Sequence, residues 1–465
     1  MISKSLAKEV INVALSTGAD FAELYLETTN SKSFKVENEL VENVAASLIS
    51  GCGIRIILKD RSIYGFTEDI SRKSLLKLAS NLSASFNEER KIEITNFKTK
   101  VAKNINTTEI PFDTVTNEEY IDYLKDISSS IKQIDEHIVR RIVSINYSTT
   151  QVYIFNSNSK LLVDNRSIAR VSSMVVVNKD GKIETNFSAK GTKAGYEHFT
   201  KQFNFKEKAL NGAKTALMMV DAAECPSGPM PVIIGNGWGG VLFHEACGHP
   251  LEASSVAKNL SCFTGKLNTP IASPIVNAYD DATIPNAWGS SNMDDEGHTP
   301  HKTQLIKDGV CVNYLIDSFN GRRMNMKENG ASRRESYQFE PTSRMSNTYI
   351  DNGTSTKEEI MSSTKLGLYA VSFNGGQVDP STGDFNFGVS EAYIVRDGKI
   401  CEPVRGAMLI GKGHEILFNI DMVANDLDLC DGMCGSSSGS IPVQVGQPTI
   451  RIKEILVGGK GGQLK

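Results

Sequence analysis

Two imidazoles and a carboxylate fall within six residues in the segment Val241-Leu242-Phe243-His244-Glu245-Ala246-Cys247-Gly248-His249-Pro250. Imidazole is a good ligand for Zn²⁺, and an adjacent glutamate that does not bind metal can deprotonate a metal-activated water. The spacing is H-E-x-x-x-H rather than H-E-x-x-H. On an ideal helix, side chains four apart are separated by about 40° and those five apart by about 140°. An undistorted helix therefore aims the two rings apart, whereas a π-type turn, one residue wider, brings them back together. Gly248 and Pro250 make the last turn the place for such a distortion. If His244 and His249 share a metal, the helix must widen or end there. The plain alternative makes His244 a satisfied core histidine and Glu245 a surface charge.

Two histidines leave a tetrahedral site one protein ligand short, and the chain has only seven histidines. His137 and His198 lie in the first half, and His414 precedes Glu415 in a strand-like run. His298 and His301 follow Asp294-Asp295-Glu296, a second group of metal-compatible side chains. The other option is a thiolate, Cys430 or Cys434, in Leu429-Cys430-Asp431-Gly432-Met433-Cys434-Gly435-Ser436. Cys430 reads as a small buried hydrophobe. Cys434 has the more turn-like surroundings, and small residues there suit a loop wrapping closely around an ion.

The run Gly235-Asn236-Gly237-Trp238-Gly239-Gly240 matches G-x-G-x-x-G and lies between a short strand at Pro231–Ile234 and the histidine-bearing helix. A dinucleotide site would need an acid about twenty residues on and a continuing βαβ unit. No Asp or Glu occurs between Ala253 and Tyr279, and Pro270, Pro274 and Pro285 interrupt the pattern. The segment reads as a tight strand-to-helix turn whose glycines leave room for something to approach the helix behind them.

The elements that must position these groups follow from periodicity. Ile2, Leu6, Val10 and Val13 recur at helical spacing and Gly18 stops the helix. Ala22, Leu24 and Leu26 alternate with Glu23, Tyr25 and Glu27, as in a half-buried strand. Ser74 to Leu82 reads as a helix, and Ile92 to Pro111 as a connection. Thr116 and Glu119 form a capping box before an amphipathic helix through Tyr120, Leu124, Ile127 and Ile131. Ile138 to Phe187 is strand-like, with a hairpin turn at Asn178-Lys179-Asp180-Gly181, and a helix runs from about Phe205 to Val220. Ala222-Ala223-Glu224-Cys225-Pro226-Ser227-Gly228-Pro229 is the strongest punctuation. Beyond it, hairpin-like turns occur at Lys307-Asp308-Gly309 and Arg396-Asp397-Gly398. The expected class is α+β: an N-terminal domain of helices and β-meanders over 1–222, then a β-rich domain over 223–465 carrying the metal-site helix.

The 465 residues carry 50 Lys and Arg against 54 Asp and Glu, a net charge of −4, with 40% apolar and 22% charged residues. That mix excludes wholesale disorder, and the balance gives no broad field for nucleic acid or an anionic membrane. The pairs Arg322-Arg323 and Arg333-Arg334 lack interleaved aromatics and do not change this. No run approaches the about 18 apolar residues of a spanning helix, and Lys4, Lys8 and Glu9 interrupt any signal-peptide core. Eight scattered cysteines fit free thiols rather than a disulfide scaffold. The expected location is the cytoplasm, with neither nucleic acid nor membrane as partner.

The segment Leu242 to Glu252 (LFHEACGHPLE) resembles the metal-bearing TldD branch of the TldD/PmbA family. So do Asn329-Gly330-Ala331-Ser332 running into Arg333-Arg334-Glu335-Ser336-Tyr337, Arg344-Met345-Ser346-Asn347-Thr348-Tyr349, and Gly375-Gly376-Gln377-Val378-Asp379-Pro380. Phe387-Gly388-Val389-Ser390-Glu391-Ala392-Tyr393, Asp431-Gly432-Met433-Cys434-Gly435 and Val445-Gly446-Gln447-Pro448-Thr449 complete a series in order across the C-terminal half. The resemblance implies a metallopeptidase with one Zn²⁺ held by His244, His249 and Cys434, and with Glu245 as general base. It further implies unfolded or short peptides as substrates and a dimer, with a PmbA-type subunit or with itself, that encloses the site. Three protein ligands leave a position for water; Glu245 then takes the proton of that water and passes it to the leaving amine. His298, His301, Arg333 and Arg334 are candidate oxyanion donors, or else solvated loop residues. The competing reading is a non-catalytic modulator with a structural metal and a fourth protein ligand, such as His298 or His301.

Overall fold

Long strands govern the first half of the chain. The computed structural model describes residues 1–379 and 381–464, so Pro380 of the Gly375–Pro380 motif lies outside the described residues. Phe21–Glu37 and Leu40–Leu58 form an antiparallel hairpin, and Ile138–Asn156 with Lys160–Lys179 forms a second beside it. Arg61–Thr67 extends one edge, and Lys182–Thr192 pairs with Lys160–Lys179 to complete the antiparallel part of a seven-stranded sheet. The seventh strand, Lys98–Val101, was not legible in the sequence; it runs parallel to Lys160–Val163 and is exposed throughout, so no apolar pattern marks it.

Four helices cover one face of this sheet. Lys4–Ala14 is capped by the Ser3 side chain and buries Ala7, Val10, Ile11 and Ala14. With Arg72–Ser83 it packs on Leu24, Leu26, Ile54 and Ile56. Asn117–Lys132 starts at the expected capping box of Thr116 and Glu119, and with Phe205–Met219 it covers Phe34, Val36, Val143 and Val171.

The opposite face corrects the expectation of a half-buried first strand. Glu23 and Glu27 are buried, because the rest of the chain packs there. Glu23 accepts from Arg334 at 2.7 Å and lies 3.3 Å from Arg55, which pairs with Glu296 at 2.7 Å, while Arg166 pairs with Asp295 at 2.7 Å. Arg334 is therefore a buried inter-element tie rather than a solvated loop residue. Apolar contact between Tyr25, Val152 and Ile154 and the later residues Met293 and Tyr337 surrounds these ion pairs.

Residues from Ala223 onward build two large sheets and a two-stranded one, Ser332–Arg333 with Thr342–Ser343. In the larger, Leu366–Val378, Gly228–Ile234, Ile450–Gly458, Met408–Lys412 and Asp384–Arg396 are paired in that order, and the last pairs back with the first, closing a ring. The second sheet runs Val310–Cys311, Lys302–Lys307, Ala278–Asp281, Asn347–Ile350, Gly439–Gln447, Asp428–Ser436. The turns at Asp308-Gly309 and Asp397-Gly398 are hairpins, as the sequence suggested. His414 lies in a helical turn, Gly413–Ile416, not in a strand. The class is α+β. Among the described residues no helix is long and apolar enough to cross a membrane.

Candidate metal centre

The G-x-G-x-x-G run is a tight turn, and its glycines admit a strand. A β-carbon on Gly240 would lie 2.5 Å from the backbone of Gly446, and one on Gly239 would lie 2.6 Å from Ile234 and 2.9 Å from the Gln447 side chain. The strand Gly439–Gln447 thus lies directly against the histidine-bearing segment. Its neighbour Asp428–Ser436 pairs with it so that Cys434 faces Ile441 and Cys430 faces Val445. We expect Gly240→Ala to cost about 1–3 kcal/mol, because rigid backbone, not a flexible side chain, blocks the added carbon. A melting temperature equal to that of the wild type would contradict this packing.

After one helical turn at Val241–Phe243 the chain widens into a π-turn over His244–Gly248, in which the His249 amide donates to the His244 carbonyl. This is the distortion the five-residue spacing requires. Gly248 allows it to pack, since a β-carbon there would lie 2.1 Å from Met345 Sδ. The two rings come within 5.1 Å of each other, centre to centre, at 82°. His244 Nε2 and His249 Nε2 each lie 3.3 Å from Cys434 Sγ. The three ligand atoms lie within 4.8 Å of one another. Cys430, four residues back on the same strand, is about 13 Å along it, and its sulfur sits against Gly237.

Charge at the cluster suits a cation. Burial alone raises the Cys434 thiol, but the His244 and His249 rings outweigh it and hold its pKa down at about 3. Burial likewise disfavours a charged His249, yet Glu252 and Cys434 raise its pKa well above the usual imidazole range. Binding a metal to such a donor set requires a deprotonated sulfur, and the lowered Cys434 pKa meets that requirement. Tetrahedral zinc, with about 2.3 Å to sulfur and about 2.0–2.1 Å to nitrogen, sets the two atoms about 3.5 Å apart. The donor set and spacing fit. Among the described residues His244 Nδ1 is buried and has no hydrogen-bond partner, which is not how a satisfied core histidine is held.

Two supporting residues carried no role in the sequence reading. Glu252 Oε2 lies 3.2 Å from His249 Nδ1 and fixes that ring from behind. Arg344, fully buried, lies 3.8 Å from Glu252 and donates to the Cys434 carbonyl at 2.5 Å, so one guanidinium joins the two halves of the cluster. One acidic residue shortly after the histidine pair and a lone arginine are weak signals without the fold that unites them.

Glu245 is on the same turn, with Oε2 at 3.8 Å from His249 Nε2 and the side chain 23% exposed. It borders the cluster from the solvent side. The other sequence candidates lie elsewhere. His298 joins Asp294 and Glu296 in a separate group, and His301 is exposed. His137 contacts Asp135, His198 contacts Gln202, and His414 lies beside Glu415. Arg333 donates to the Met345 and Pro442 carbonyls, and the Arg322-Arg323 pair is spent on Asp20 and the Asp60 carbonyl.

Three family models match this chain. They are described as PmbA/TldA metallopeptidase domain 1 over residues 22–85, the central domain over 110–220 and the C-terminal domain over 227–459. A metalloprotease TldD homolog of Haemophilus influenzae is 34% identical over 466 residues, covering 98% of this chain and 97% of its own. The chain belongs to the PmbA/TldD family. A second relative, a metalloprotease TldD homolog of Buchnera aphidicola, is also 34% identical and covers 95% of this chain and 93% of its own. Among solved structures, TldE from Thermococcus kodakarensis aligns with a TM-score of 0.76 at 15% identity over 97% of this chain and all of its own. A Thermotoga maritima protein described as a candidate modulator of a DNA gyrase aligns with a TM-score of 0.79 at 17% identity, covering 98% of this chain and 100% of that one. At such identity these two structures share the fold.

Proposed function

We propose that this chain is a zinc-dependent peptidase that cleaves short or unfolded peptides, with His244, His249 and Cys434 as metal ligands and Glu245 as general base. The observation that carries the reading is the convergence of three ligand atoms from residues 185 and 190 positions apart in a family whose relatives are named metalloproteases. When bound, such an ion acidifies water towards a pKa of about 7 and polarises a carbonyl. The chain's own residues do the rest. Glu245, at the open side of the cluster, accepts the proton of the attacking water and returns it to the departing amine. Glu252 holds the His249 ring so that Nε2 faces inwards, and Arg344 fixes the Cys434 backbone against that assembly.

The same family supports a second copy of this chain or a PmbA-type subunit as partner. The hairpin residues 40–49 are exposed, including Leu40 at 74% and Leu48 at 67%, an apolar strand end of the kind that pairs with another chain. The cytoplasm and a division of the chain at residue 222 belong to the same reading. A modulator with a structural metal is the alternative suggested by the description of the Thermotoga protein; it requires a fourth protein ligand, and among the described residues only three groups converge.

The test is digestion of an unstructured peptide with and without a chelator. The expected result is cleavage that the chelator abolishes and added zinc restores; retained metal with no cleavage would favour the modulator. We also expect Glu252→Gln to weaken metal binding about 10–100-fold, because the ring loses its orienting partner. Competition against a chelating dye measures this, and unchanged affinity would remove Glu252 from the account.

A further inference from the structure

Lys193 and Arg333 are buried cations, each 9% exposed, and their hydrogen-bond partners are backbone carbonyls. Lys193 Nζ donates to Ser290, and Arg333 donates to Met345 at 2.6 Å and to Pro442 at 2.7 Å. Neither forms an ion pair with a carboxylate among the described residues. Buried charge without a counter-ion is costly, and proteins normally pair it. Both cations line one cavity of about 120 Å³ together with Arg166. Arg166 uses Nε on Asp164 and Nη1 on Asp295, both at 2.7 Å, while its Nη2 is buried with no partner among the described residues.

The acids around this cavity are already engaged. Asp295 accepts from Arg166 and from the Arg334 amide, Asp294 accepts from the His298 amide, and Glu335 accepts from the Ser440 amide. Glu27 accepts from Thr29 and the Tyr337 amide, and burial pushes its carboxyl pKa up. Lys193 and Arg333 remain short of negative charge: burial, then Arg333 and Arg166, push the Lys193 pKa down to about 7. The cavity adjoins the metal centre. Pro442 follows Ile441, the residue facing Cys434 across the strand pair, and Met345 lies against Gly248 of the π-turn.

We infer that this cavity is a carboxylate subsite of the peptidase, in which Lys193 Nζ and Arg166 Nη2 receive a substrate's C-terminal carboxylate or acidic side chain. The inference rests on the peptidase reading of the neighbouring centre. A carboxylate offers one oxygen to each donor, the charge-assisted arrangement that two buried cations favour. Arg333 then supplies positive charge from the metal side without leaving its carbonyl partners.

Two matched peptide pairs test this on the full-length protein. One pair differs only in ending as a free acid or an amide, and the other carries an internal Asp or Asn. One pair is expected to show about tenfold higher kcat/KM for its carboxylate member, expressed in KM, the scale of a charge-assisted hydrogen bond. Which pair responds identifies the source of the carboxylate. Lys193→Met should flatten that ratio to within about twofold, and Lys193→Arg should restore part of it. The Met variant removes a buried amine that lacks a counter-ion, so its melting temperature should equal or exceed that of the wild type. No discrimination by the wild type, or an unchanged ratio in Lys193→Met, would overturn the subsite. Calorimetry of the same peptides on Glu245→Gln protein decides the matter apart from turnover: acid and amide binding equally would overturn the subsite. Absence of any cleavage by the wild type would instead overturn the peptidase reading.

Discussion

Replacing Glu245 by glutamine is expected to reduce peptide hydrolysis by about 10²–10⁴-fold, the range general-base removal costs, while metal content stays at the wild-type level. Glu245 lies on the histidine turn yet outside the three-atom group, with its carboxylate 3.8 Å from His249 Nε2 on the more exposed side. That position lets it reach a water beside the cluster without occupying it. Glutamine keeps the shape and the hydrogen-bonding reach but cannot take up the proton. Turnover of an unstructured peptide, paired with metal analysis of the same sample, measures both halves of the expectation. Turnover within a few-fold of wild type would remove the general-base role, and loss of metal would make Glu245 a ligand instead.

The second large effect separates two cysteines on one strand. Cys434→Ser should lose most of its metal and, with it, peptide cleavage, because a hydroxyl replaces the only thiolate of the group. Cys430→Ser should keep both, since its sulfur packs against Gly237 about 13 Å along the strand. Both substitutions are close in volume, so a difference between them reads ligation rather than packing. Metal analysis giving the opposite order would reassign the third ligand. Peptide cleavage that survives in Cys434→Ser protein freed of metal would contradict the mechanism as a whole.

Much of this site was legible in one short segment. A five-residue separation of two histidines demands a widened turn if they share an ion, and the π-turn over His244–Gly248 is that widening. The capping box at Thr116 and the helix it starts were likewise written in local pattern. What spacing alone left open was the choice of thiol or histidine for the third position. That choice depends on a strand pair laid against the glycine turn, where bare α-carbons at Gly239 and Gly240 let Gly439–Gln447 approach. No local periodicity encodes a contact between residues 185 positions apart; the family motifs supplied it instead.

The misreadings have a common physical cause. Glu23 and Glu27 looked like the wet face of a strand, because acids are rarely buried. Here they meet Arg334, Arg55 and the Tyr337 amide across an internal junction, and partners so far apart in the chain leave no periodic trace. Arg333 and Arg334 seemed solvated for the same reason. Lys98–Val101 escaped notice because an exposed edge strand needs no alternation, and His414 because one helical turn is too short to show a period.

The most direct test is X-ray absorption at the zinc edge on protein loaded with one equivalent of zinc, wild type beside Cys434→Ser. The wild type should show one sulfur neighbour at about 2.3 Å and nitrogen or oxygen neighbours at about 2.0–2.1 Å, with the sulfur shell lost in the variant. A wild-type spectrum without sulfur, or a sulfur shell that persists after the substitution, would contradict the assignment of His244, His249 and Cys434 as the ligand set.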